Sequence, residues 1–556
     1  MSFKTISGFF VAAAAMLLMA SCSKKSNTQG RYIPANAAVV VHVNSEAISA
    51  KLPWEEVKQN ELFKTLYADS SITSLVKAAL DNPENTGIDT KKDMLFFLMK
   101  DSTGGYVVFE GAIKDAAKFK TYNAAALKNA AASEKNGIQY LAEKGTTVSW
   151  DKDKFIVIAD APDMNQVNNF DPSVDRDSLP MPVPAPVKVF RDGVSTAAAL
   201  YALAENKSMA KDEKFSKLVG KKGDIHFWMN TQALYEGNEG MASMSMVNLR
   251  KLYEDSFTAG TVNFENGQVS VDILSYAGKE MASLWKKYGG TKLNSDFSNR
   301  FAAQNVAAFF AMNFKPEGIK EFVKLIGVDG FINMGTAFLG FNLDDFVKAN
   351  KGDILLALSD ITKDTAGKTS ANFIFAATVN DKASFDKLVA AGSKMGKDQL
   401  GSDASKLFYN RNDPYFAIGN NKTAVDNFVG KNGNPQLAFL NKIASSPIAG
   451  YANLQYIFSS MKETATKDSL GRLALDLSSK LWKDVTLNGG DFEDGGVTQH
   501  IEINLQDKST NSLKQLNTYF GSMGAILKQK KQEPNINDLR LPGNFPSGMD
   551  TSALYE

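Results

Sequence analysis

Three histidines pose the first chemical question, because imidazole changes charge near neutral pH and is the commonest general base and metal ligand. His42, His226 and His500 stand in VVVHVN, GDIHFWMN and TQHIEIN, each of which reads as a strand. Far apart in the chain, they are expected to fill three separate strand positions rather than one metal site or catalytic triad. HExxH is absent and there is one cysteine, so no standard zinc ligand set is present. GxSxG is absent too, and S-x-x-K recurs at Ser208, Ser283, Ser384 and Ser459, as a lysine-rich composition produces without design. Neither GxxxxGK(S/T) nor a helix-opening GxGxxG is there to cradle phosphate.

Two acidic groups remain. Asp491, Glu493 and Asp494 lack the alternating spacing of a calcium loop, and Asp171, Asp175 and Asp177 lack its glycine and closing glutamate, so both read as solvated. Trp54, Trp150, Trp228, Trp285 and Trp482 sit at strand or helix spacing among apolar neighbours, where core packing is their usual fate. The expectation is no catalytic, cofactor-binding or metal site, and no enzyme. A hydrolase built on two facing carboxylates is the catalytic alternative.

Cys22 is the single cysteine of 556 residues, and it ends MSFKTISGFFVAAAAMLLMASC. The apolar run before it is shorter than the roughly 20 residues that cross a bilayer, so residues 1–21 read as a signal peptide. Met19, Ala20 and Ser21 before the cysteine resemble a lipoprotein lipobox, in which the thiol takes a diacylglycerol and further acylation (palmitate chemistry) completes the anchor. Each buried methylene contributes about 0.8 kcal/mol and two or more chains hold stably, so residues 22–30 become a lipidated tether. A lone cysteine makes no internal disulfide, and stability must come from burial.

The 62 basic and 61 acidic residues leave a formal charge of +1 with no long basic block, which argues against a nucleic-acid partner. At 44% hydrophobic and 22% charged, the chain is globular material.

Internal similarity organises the rest. NAAVVVHVN from Asn36 matches NVAAFFAMN from Asn305, an offset of 269 (305 − 36). KKDMLFFLMKD from Lys91 matches NKGDILLALSD from Asn350, Phe119 falls opposite Phe385, and Ile158 opposite Ile418. Asn230 falls opposite Asn453, and FENG at Phe264 opposite FEDG at Phe492, each the turn of a hairpin. Helices are expected beside the strands, one over 115–132. The fold class is therefore α+β, two tandem copies of a mixed antiparallel-sheet-plus-helices unit: 31–290, with a proline-rich insertion at about 168–205, and 298–525, followed by a tail at 526–556.

The lipobox, the GRYIPANAAVVVHVN start and the paired strand-helix pattern together resemble a Bacteroidota lipoprotein family of unknown function, domain of unknown function 4836. The resemblance implies an envelope lipoprotein and carries no functional residues. Ser23, Lys24 and Lys25 replace the acidic residues that often follow the cysteine of surface-exposed lipoproteins in that phylum, which leans toward the periplasmic face of the outer membrane. The expected role is a non-catalytic binding or structural one, with the membrane as partner through Cys22 and an envelope protein, glycan or lipid as the ligand classes open to it. A carbohydrate or lipid site between the two copies is the main alternative.

Cys22→Ala is expected to release the protein from the membrane fraction and to abolish labelling by a fatty-acid precursor; labelling that survives the substitution refutes the anchor.

Overall fold

A computed structural model of the chain describes residues 28–532, apart from 71, 102–103, 129, 162–188, 236–247, 364–368, 401–406, 433–436 and 463–468. Cys22, the aspartates at 171, 175 and 177 and the end of the chain past 532 therefore lie outside the described residues.

Among the described residues eighteen strands form one antiparallel sheet. The first copy supplies β1 (Val39–Val43), β2 (Met94–Asp101), β3 (Gly104–Ala112), β4 (Ala131–Lys135), β5 (Ile138–Glu143), β6 (Thr146–Trp150), β7 (Lys154–Asp160), β8 (Ile225–Asn230), β9 (Phe257–Glu265) and β10 (Gln268–Tyr276). The second supplies β11 (Val306–Asn313), β12 (Asn350–Lys363), β13 (Thr369–Val379), β14 (Phe408–Arg411), β15 (Tyr415–Gly419), β16 (Ile448–Ala452), β17 (Trp482–Glu493) and β18 (Gly496–Leu505). Across the sheet the pairings run β4, β5, β6, β7, β3, β2, β1, β8, β9, β10 and then β18, β17, β16, β11, β12, β13, β15, β14.

That order is the duplication made visible. Counting outward from the β10–β18 pair, β9 corresponds to β17, β8 to β16, β1 to β11, β2 to β12, β3 to β13, β7 to β15 and β6 to β14. A local two-fold axis therefore passes between β10 and β18. Asp272 pairs with His500, and these two are also equivalents, 228 residues apart (500 − 272), the same offset as Phe264 and Phe492. A residue pairs with its own equivalent only on the axis.

The register also corrects two of the sequence matches by one residue. Val40 pairs with Phe97 as Phe309 pairs with Ala357, so β2 and β12 are offset by 260 (357 − 97), and Leu95 corresponds to Leu355. Val108 pairs with Ile158 as Ile374 pairs with Gly419, so Ile158 corresponds to Gly419 and Val157 to Ile418. One residue matters here because it moves every side chain to the opposite face.

On one face, β1 to β3 and β7 to β9 bury Val40, Leu95, Phe97, Val108, Ile156 and Trp228 beneath α2 (Gly193–Tyr201) and α3 (Glu213–Val219). The second copy buries Phe309, Ala311, Leu355, Ala376, Ala417 and Ala449 on that face beneath α5 (Lys422–Gly430) and α6 (Leu440–Ile443). On the opposite face, Phe119 of α1 (Ala116–Ala126) and Phe385 of α4 (Lys382–Leu400) head two smaller cores. Caps explain the helix starts: Asp115 accepts from Lys118 N, Asp212 from Lys214 N and Phe215 N, and Asn421 from Ala424 N.

The helix expected over 115–132 stops at Ala126, and Ala131–Lys135 pairs with β5 instead. Asn136 and Gly137, at φ 54° and 76°, supply the two positive-φ positions that a two-residue hairpin turn demands. The last helix, α7 (Ser512–Gln532), runs seven residues (532 − 525) into the segment read as tail.

Leu95→Ala and Leu355→Ala each empty an equivalent buried site and are expected to cost about 2–5 kcal/mol. Because the copies share one sheet, chemical denaturation should show a single transition shifted by either substitution. Two transitions, one moved by each, would show independent copies.

Candidate functional site

Strand pairing places Glu110, all three histidines and Asp272 in one line across the sheet. Tyr140, Ser149, Ile156, Glu110, Leu95, His42, His226, Thr261 and Asp272 are consecutive cross-strand partners in the first copy. The line crosses the axis to His500, Asn488, Ala449, Ala311, Leu355, Ala376 and Ala417. All three histidines thus stand in one row, at roughly 4.8 Å per strand, on the face that carries the main cores. Sequence reasoning put them on strands, as they are, but took them for separate positions. His42 and His226 are direct neighbours.

The two rings are buried, with Nδ1 atoms 2.9 Å apart. His226 Nε2 lies 3.0 Å from the Lys221 carbonyl, which can only accept, so Nε2 carries the proton and Nδ1 accepts from His42 Nδ1. His42 Nε2 is 3.1 Å from Asp93 Oδ2, a polar contact off the line of a good hydrogen bond. Asp93, His42, His226 and the Lys221 carbonyl form a continuous polar relay. The contact with His42 holds the Asp93 carboxyl below its ordinary value against the cost of burial, and burial pushes the His226 imidazole down.

Glu110 is the residue that sequence reasoning missed. It is fully buried on β3, and neither carboxylate oxygen has a hydrogen-bond partner among the described residues. Desolvation pushes its pKa up to about 7, opposed only by the Lys154 charge. The one signal in the sequence is a lone acid at an inward position of the apolar strand YVVFEGA. The second copy shows that the fold does not require these polar groups: Ala376, Ala311 and Ala449 stand where Glu110, His42 and His226 do, all of them buried.

At the axis the helical layer opens into a cleft of about 350 Å³ whose floor is the sheet itself. Thr261, Asp272 and His500 line the floor, Lys214, Lys217, Lys221 and Lys222 one wall, and Asp491, Glu493 and Asp494 the other. Each wall belongs to a different copy. Lys217 Nζ and Asp494 Oδ2 approach to 3.9 Å across the gap, an exposed pair too solvated to hold it shut. On the floor His500 Nδ1 is 2.7 Å from Asp272 Oδ1, and its Nε2 is 3.4 Å from Glu502 Oε1. Burial disfavours the imidazolium, but the two carboxylates outweigh it and the His500 pKa is raised.

The acidic turn is solvated, as read, with Glu493 and Asp494 exposed, and it also forms a wall of the cleft. Among the described residues no group of three His, Cys, Asp or Glu side chains is placed to hold a metal ion. The S-x-x-K serines are not brought together: Ser208 donates to the Glu205 carbonyl, Ser459 to the Gln455 carbonyl, and Ser283 and Ser384 sit on separate helices. No tryptophan lines the cleft; Trp150 and Trp228 are buried, and the Trp54 indole donates to the Leu80 carbonyl.

A family model described as Domain of unknown function (DUF4836) matches residues 30–174 and 195–428, segments that reach from β1 into the second copy. Among curated proteins none matches significantly. Crystal form I of TP0453 is similar at 11% identity, over 44% of this chain and 79% of that one, with a TM-score of 0.23. Crystal form IV of TP0453 is similar at 9% identity, over 47% and 87%, with a TM-score of 0.24.

The titrating groups produce opposed pH dependences. Glu110 titrates near 7 when folded against an ordinary 4.5, so the stability it contributes is complete below 4.5 and lost as pH rises through 7. Relative to Glu110→Gln, wild type is expected to lose on the order of 3 kcal/mol between pH 4.5 and 8, measured by urea unfolding. His226, with its pKa lowered, adds the reverse: stability present above 6.5 and lost as pH falls. Parallel pH profiles for wild type and E110Q would contradict the assignment.

Proposed function

From the chain's membership of the DUF4836 family, whose function is undefined, we propose a lipid-anchored envelope protein that binds a polar ligand of mixed charge in the cleft between its two copies. The observation that carries this reading is the cleft itself: two walls of opposite charge, one from each copy, over a floor of hydrogen-bonding side chains. The reading attaches the protein by lipid on Cys22, at the periplasmic face of the outer membrane, supported by the lipobox-like MLLMASC and the Ser23-Lys24-Lys25 that follows; among the described residues no helix is long and apolar enough to cross a membrane.

The chemistry favours binding over catalysis. Of the cleft carboxylates, Asp491, Glu493 and Asp494 share one hairpin and Asp272 is engaged by His500 on the floor, whereas glycoside hydrolysis needs two carboxyls free to face each other across the substrate. The ligand that fits is zwitterionic: its anionic group meets the lysine wall and its amino or hydroxyl groups meet the carboxylates. Stacking on indole plays no part, and Tyr276 has its face covered by Lys214, 4.2 Å from the ring centroid.

Native mass spectrometry and calorimetric titration against peptides and amino-sugar-containing glycans test the reading. Reversing two wall charges, Lys217→Glu with Lys221→Glu, is expected to weaken binding roughly 10–100-fold, since charge-assisted hydrogen bonds contribute about 1.5–3 kcal/mol. A blank across both ligand sets, or binding indifferent to the reversal, would sink it.

A further inference from the structure

We propose that the second copy carries a separate site for an acyl chain, in a pocket that the first copy has closed. The pocket holds about 500 Å³ between α4 and the face of β13 and β15 away from the main cores, within the roughly 300–1,000 Å³ of small-molecule sites. Phe375, Phe385 and Phe416 form its floor, with Leu388 and Val389 of α4 alongside.

The duplication supplies the control. Phe109, Phe119 and Phe155 are the equivalents of those three phenylalanines and build the same aromatic floor in the first copy. There the space above is filled by Trp150, Leu141 and Leu127, and Trp150 and Leu141 are buried. In the second copy Arg411 takes the position of Trp150 and pairs with Asp386 instead, while Gly392 and Ser393 take the positions of Ala126 and Leu127. The exchanges of Trp150 for Arg411 and Leu127 for Ser393 remove apolar bulk from over the floor. Among the described residues, a methyl group built on Gly392 meets no atom within 4 Å.

The fold can evidently close this space and does so once, so the open copy is not forced by the backbone. Empty apolar volume forfeits dispersion contacts, a cost that an apolar occupant removes. The lining commits to the chemistry of that occupant: aromatic and aliphatic walls, with Ser393 and Tyr409 as polar groups toward the solvent side. An acyl chain satisfies both, its methylenes on the phenylalanines and its carboxyl or ester at the opening. A free fatty acid and a membrane lipid both present that chemistry. The site is independent of the charged cleft, and the wall reversal K217E with K221E leaves it untouched.

The test uses the full chain carrying Cys22→Ser, so that its own lipid is absent. Native mass spectrometry with hexadecanoic acid, and separately after incubation with phosphatidylethanolamine vesicles, is expected to show one bound molecule per chain and to identify the source. Gly392→Leu fills the open space and also favours the helix, and Ser393→Leu restores the residue of the first copy. Either should weaken binding at least tenfold. Gly330→Leu, at another glycine with nothing within 4 Å, should leave binding unchanged. Absence of bound fatty acid and lipid, or wild-type binding by both filled variants, would overturn the site.

Discussion

The β10–β18 pairing is the interaction on which the molecule depends. An antiparallel pair can be two-fold symmetric, so two copies of one unit join through equivalent strands with a full hydrogen-bond ladder between Gln268–Tyr276 and Gly496–Asn504. Among the described residues, joining there leaves two free edges for eighteen strands, β4 and β14. Both are short, and β4 carries Glu134 and Lys135 on an exposed strand, the features that keep an edge from recruiting another chain. Symmetry imposes one difficulty. On the axis a residue faces its own equivalent, and like charges directly opposite repel. Asp272 and His500 show the resolution: once the copies are fused in one chain, the two axis positions are free to differ, and an acid faces a base.

The same freedom explains where chemistry accumulated. The main core is apolar in both copies, yet only the first places a carboxyl and two imidazoles into its cross-strand row, where the second has three alanines. Burying Glu110 without a partner costs stability that Ala376 does not, so the first copy carries a burden that the shared sheet supports. The second copy differs in the opposite sense, with Ser393 and Arg411 where the first has the apolar bulk of Leu127 and Trp150. One backbone plan thus offers a polar interior on one side of the axis and an apolar pocket on the other.

How far this was legible follows from what each kind of pattern encodes. The α+β class, the duplication and the hairpins at Asn266-Gly267 and Asp494-Gly495 were readable, because alternation and turn chemistry are local and repeat at a near-constant offset. Register was readable only to within one residue: Ile158 and Ile418 match as letters but lie on opposite faces, and strand partners alone decide that. The end of α1 at Ala126 was hidden because AAALKNAAASEK has helical composition, and the Asn136-Gly137 turn overrides it through pairing with β5. The site was least legible. His42 and His226 meet through a register between strands 184 residues apart, and no local pattern records that neighbourhood.

The buried acid also bears on how the relay and the cleft relate. Glu110, His42, His226, Asp272 and His500 share one row, yet Leu95 separates the first from the second and Thr261 separates the histidine pair from the axis. A leucine carries no proton, so Glu110 titrates alone, as its unpartnered oxygens require. Thr261 has a hydroxyl, and Lys221 joins the two regions a second way: its carbonyl accepts from His226 while its residue lines the cleft. Lys221 thus belongs to both regions, its carbonyl to the imidazole pair and its side chain to the lysine wall, whereas Glu110 is a local feature of the β2–β3–β7 core.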